Sequence, residues 1–128
     1  MRLDEQNYRV LALWAADCAE RVLPIFEAQY PDDDQPRQAI EAARAWVRAG
    51  IAVSEARAAA FAAHAAARAT DDPAARAAAR AAGHSAATAH VADHARHAAA
   101  YAVKASADAV SEREWQIRHL PEPLRSLM

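Results

Sequence analysis

Alanine fills 40 of the 128 positions, while glycine appears only at Gly50 and Gly83. Alanine has the highest intrinsic helix propensity, because it surrenders no side-chain entropy on entering a helix. The β-branched and aromatic residues that favour strands are sparse. One fold class is therefore open to the chain: all-α. Its length suits one domain with a real core, so residues 1–128 are read as a single compact bundle of about six helices joined by short loops.

Spacing and punctuation divide the chain further. Tyr8, Leu11, Ala15, Cys18 and Val22 recur at steps of three and four, which places them on one face of a helix over Asp4–Val22. Pro24 predicts a break, followed by a short helical piece, Ile25–Gln29. In the turn before the next helix, Pro36–Arg48, Asp34 is the expected N-cap and Asp32 and Asp33 are left free. Gly50 is the expected C-cap. Ser54 is taken to start a helix to Ala69, with Phe61 and His64 on one side and Arg57 and Arg68 elsewhere. Asp72-Pro73 opens a long stretch to Ala109, with a kink or division expected at Gly83. Ser111 is the expected cap of a last helix, Glu112–His119, and Leu124, Leu127 and Met128 form an apolar tail. Alanine buries little area per residue, so Trp14, Phe26, Ile40, Trp46, Phe61, Tyr101 and Trp115 are expected to carry much of the core.

Charge excludes one broad class of function. The net charge is -2 and the isoelectric point about 6.3, without the concentrated basic composition of a non-specific nucleic-acid binder. The opening MRLDEQNYRV lacks the basic and apolar regions of a signal peptide. No stretch reaches the roughly 20 apolar residues that span a bilayer. The expectation is a cytoplasmic protein with neither a nucleic-acid nor a membrane partner. Cys18 is the only cysteine; set on an apolar stripe, it reads as inert.

Chemistry-bearing residues concentrate at the histidines. His90, His94 and His97 are four and three residues apart, and Tyr101 and Lys104 continue the stripe. Residues at those offsets are neighbours on a helix surface. A His84/His90/His94 cluster, with His90 and His94 as the nearest pair, offers imidazoles to zinc, copper or nickel. Residues 91–93 read Val-Ala-Asp, so the glutamate of the HExxH zinc motif is missing. The preferred reading is that the rings hydrogen-bond within a packed helix interface, with His64, Thr88 or Asp93 as partners, and that no cofactor is needed. There is also no phosphate-binding glycine loop, no dinucleotide glycine pattern and no nucleophile elbow.

Three strings then carry a resemblance: Leu11 to Pro24 (LALWAADCAERVLP), Pro36 to Trp46 (PRQAIEAARAW) and Gly83 to Ala95 (GHSAATAHVADHA), with Glu114-Trp115-Gln116 and Leu120-Pro121 behind them. Over nearly the whole chain the sequence resembles the Imm-5-like family of bacterial immunity proteins. The resemblance implies a small helical protein that binds and neutralises a cognate toxin, and it carries no catalytic residues. It falls on Trp14, Asp17, Cys18, Glu20, Arg21, Arg37, Trp46, His84, His90 and His94, and His97 departs from it. The candidate binding residues are Trp14, Asp17, Arg37, Trp46, His84, His90, Asp93 and His94. Two readings stand beside this one: a helical metal-binding protein or metal-dependent enzyme using His84, His90 and His94, and a homodimer paired through alanine faces.

Overall fold

A computed structural model describes residues 3–128 and is all-helical. Six α-helices run α1 Glu5–Gln29, α2 Gln35–Val47, α3 Val53–Arg68, α4 Pro73–Ala87, α5 His94–Ala105 and α6 Ala109–Arg118, and a 3-10 helix over Glu122–Leu127 makes a seventh helical segment. About six were expected, and several boundaries fall elsewhere than the sequence placed them.

Helix α1 does not break at Pro24. Proline removes one helical hydrogen bond, the one to the Glu20 carbonyl. Pro24 and Glu20 are both exposed, so water can serve that carbonyl. Val22, Leu23 and Phe26 on either side are buried, at about 2 kcal/mol of hydrophobic stabilisation each. Continuing the helix keeps all three in the core, and that outweighs the lost bond.

The expected division at Gly83 is also absent. Gly83 lies buried inside α4, where an added Cβ would stand 2.6–2.9 Å from the ring atoms of His64. The glycine is there for close approach. The chain instead turns at residues 88–93. Thr88 returns its hydroxyl to the His84 carbonyl at 3.0 Å, and the Tyr8 hydroxyl of α1 takes the Thr88 carbonyl at 2.6 Å. Those bonds occupy groups that would otherwise extend the helix.

The caps show the same local chemistry with shifted assignments. Asp4 and Asp72 accept from Asn7 and Ala75 backbone amides, as N-caps should. Asp34 instead accepts from the Gln38 side chain, and Asp33, expected to be free, accepts from the Gln35 amide. Asp108, not Ser111, caps α6, accepting from the amide and hydroxyl of Ser111. Helix α3 begins at Val53 with Ala52 at its cap position, so Ser54 lies inside it. At the end of α2 the amides of Ala49 and Gly50 bond to the carbonyls of Trp46 and Ala45, a Schellman motif. Its left-handed residue is Ala49, with φ 60°, one position before the expected glycine.

Helix α4 packs against α1, α2, α3 and α5. Its buried residues are alanines with Gly83 and Ser85, so neighbours can approach on every side. The larger core residues lie mostly around it: Leu11, Trp14, Leu23, Phe26, Ile40, Leu120 and Leu124 are all at most 3% exposed. Trp46, Tyr101 and Trp115 are only half-buried, and Phe61, expected in the core, is 64% exposed. Buried Gln116 ties three helices together: its carbonyl accepts from Trp14 Nε1 and its amide donates to the Ala99 carbonyl, both at 2.9 Å. Among the described residues no buried side-chain nitrogen or oxygen lacks a partner, and no helix is long and apolar enough to cross a membrane.

Candidate functional site

The turn at 88–93 folds α5 back beside α4 and gathers imidazoles from three helices. His64 comes from α3, His84 from α4, and His94 and His97 from α5. His84 is the hub. Its ring centroid lies 4.9 Å from His64, 5.1 Å from His94, 5.3 Å from His97 and 5.3 Å from Tyr101, and it is nearly parallel to Tyr101 at 9°.

Proton positions follow from the partners. Arg80 stands 2.9 Å from His64 Nδ1. A guanidinium can only donate, so His64 Nδ1 accepts and the ring proton sits on Nε2. Burial, then the positive charges of Arg80, His94 and Arg68, push the His64 pKa down to about 4. His84 and His94 meet Nδ1 to Nδ1 at 2.9 Å, where one ring donates and the other accepts. Burial, then His64, His94, His97 and Arg80, push His84 down to about 3. His94 is lowered by burial and by His97, with Asp93 opposing. His64 and His84 are therefore neutral rings at neutral pH, and His94 is shifted the same way. Asp93 is occupied at its edge, accepting from Arg96 at 2.7 Å and lying 3.3 Å from His97 Nε2.

An open cleft of about 210 Å³ adjoins the cluster, lined by Arg57, Ala60, Phe61, His64, Ala87, His90 and His94. Arg57, Phe61, His64 and Arg68 stand at steps of four, three and four along α3, so they form one stripe beside the buried stripe of Ala56, Ala60, Ala63 and Ala67. This corrects the expectation that the two arginines lie elsewhere. Arg57 rests over the Phe61 ring at 5.9 Å.

A family model described as Imm-5 like putative immunity protein matches residues 1–123. The chain belongs to that Imm-5-like family. No curated protein and no solved structure matches it.

In this Imm-5-like chain the candidate binding residues scatter over several environments. His84, His94 and Asp93 meet in the cluster. His90 is exposed in the turn and joins His94 only at the cleft. Among the described residues no group of three or more His, Cys, Asp or Glu side chains could hold a metal ion, so the His84/His90/His94 metal reading is not met. The helical stripe His90–His94–His97 is also interrupted, because His90 precedes α5.

The other candidates lie in α1 and α2. Trp14 is core. Asp17 and Glu20 share Arg44, and Arg37 pairs with Glu27 at 2.6 Å, pinning α2 to α1 from outside. Trp46 packs on Tyr8, centroids 5.3 Å apart, beside a groove that Ile51 and Val53 also line. Sequence reasoning assigned Phe61 to the core and gave Arg57 no role. The available signal was the step of one between Ala60 and Phe61, which carries Phe61 off the buried stripe.

Proposed function

We propose that this chain is an immunity protein, which binds a cognate bacterial toxin in the producing cell's cytoplasm and neutralises it by covering the toxin's working surface, without catalysis of its own. Family membership across residues 1–123 carries the reading. The chemistry of the side chains supports it. The Cys18 thiol is buried, and burial first, then Asp17, pushes its pKa far above the ordinary value, so it is a poor nucleophile. A general base works best with a pKa near the operating pH, and His64 and His84 titrate near 4 and 3. The surface best suited to contact is the rim of the imidazole cluster, with His90, Asp93 and His94, and the Trp46 groove is a second patch.

Co-expression with the toxin polypeptide encoded beside this chain tests the proposal. The expected result is a complex that stays together through size-exclusion chromatography and cells that survive toxin induction. Separate elution of the two chains, together with cell death, overturns it.

A further inference from the structure

We propose that the cleft between α3 and the α4–α5 turn is the docking point for an acidic segment of the protein partner, with Phe61 as apolar anchor and Arg57 as the charge that meets a partner carboxylate. The inference rests on the immunity reading and names the surface through which that function is exerted. Phe61 is the first reason. It stands 64% exposed, flanked along α3 by alanines, with Arg57 and His64 about one turn to either side. Exposed aromatics beside arginine are the residue types that dominate binding hot spots.

Charge is the second reason and selects the occupant. No acidic residue lines the cleft, and its permanent charge is the Arg57 guanidinium; the lining imidazoles His64 and His94 are shifted toward their neutral forms and do not oppose it. Arg68 and Arg80 on the flanking helices add to that sign, and both depress His64. The nearby acid, Asp93, is engaged by Arg96 and His97. Among the described residues Arg57 has the Phe61 ring as its partner and forms no ion pair. The chain as a whole carries -2, so this is a local reversal of sign. Covering Arg57 with an apolar surface would strand a charge, whereas a carboxylate gives it a fork-shaped partner. Size is the third reason. At about 210 Å³ the cleft lies below the range of roughly 300–1,000 Å³ usual for drug-sized ligands and cofactors; it suits one or two side chains of another protein.

The test measures binding of the full-length chain to the toxin polypeptide encoded beside it, for the wild type and for Phe61→Ala, Arg57→Glu, Arg57→Lys and, as a control on α6, Arg118→Glu. Phe61 and Arg57 are exposed, so unchanged thermal melts are expected and verify folding. Phe61→Ala and Arg57→Glu should each weaken binding by about tenfold or more, Arg57→Lys by less, and Arg118→Glu by no more than about twofold. Substituting the toxin's exposed Asp and Glu residues one at a time by Arg should yield at least one variant that restores binding of Arg57→Glu. A wild-type complex that Phe61→Ala and Arg57→Glu leave untouched overturns the docking assignment and leaves the immunity reading standing. A complex sensitive to both, with no restoring charge swap, overturns the carboxylate. Absence of any wild-type complex and of protection removes the immunity reading and this inference with it.

Discussion

At the scale of single residues, the contact between Gly83 and His64 organises the site. Alanine at position 83 would gain about 1 kcal/mol in helix propensity, but its Cβ would sit inside contact distance of three His64 ring atoms. The ring is wedged against His84 and fixed by Arg80, so it cannot yield freely. Gly83→Ala should destabilise the protein by about 1–3 kcal/mol. In a His64→Ala background the same change should become stabilising, a reversal of sign that paired denaturant titrations would read. The rings also set a pH dependence. An unfolded histidine binds its proton near pH 6.5, whereas His64 and His84 in the folded state bind theirs near 4 and 3. As pH falls from about 6.5 toward 4, the unfolded chain takes up protons that the folded chain refuses, and stability falls with it. Glu20, Asp93 and Asp108, held below the ordinary carboxylate range, add their losses only at the acid end of that window. Urea midpoints at pH 7.5 and pH 5 should therefore differ, the lower midpoint at pH 5. Imidazole NMR should find His64 and His84 uncharged at both. The sequence offered a packed helix interface with His64 as a ring partner, but not the hub at His84 or the part Gly83 plays, because the rings come from three helices.

Helices were legible where the signal is local. Asp72-Pro73 starts α4 and the alanine runs fill it, as capping chemistry and propensity require. Boundaries set by tertiary partners were not. Pro24 is a helix breaker on its own, yet the burial of Leu23 and Phe26 carries α1 through it. Gly83 punctuates in sequence, yet serves a ring from α3, while the true turn at 88–93 is held by a hydroxyl from Tyr8, some 80 residues away. The end of α2 gives the element-scale prediction. Ala49 adopts a left-handed conformation that costs an L-residue about 1–2 kcal/mol and glycine little. Ala49→Gly should raise stability by about 1 kcal/mol despite shortening a side chain, measurable as a shift in the thermal midpoint. A loss would show that the Schellman turn does not control the end of α2.

The whole molecule is a bundle whose centre is made of methyl groups and whose large residues lie around that centre. Small faces on α4 let four helices close upon it, and stability then concentrates in a few side chains. Phe26→Ala should cost about 3–5 kcal/mol in a denaturant titration, far more than trimming any one alanine of α4. The same economy makes an exposed phenylalanine conspicuous: a chain with so few aromatics leaves Phe61 outside, over a basic cleft, next to rings kept neutral. On the docking proposal, this face is where a partner protein is engaged. The most direct measurement is NMR of the Phe61 ring and of the His90 and His94 imidazoles while the toxin polypeptide is titrated in. These signals should shift or broaden together and saturate at one equivalent. Saturable binding that leaves all three unchanged would contradict that proposal.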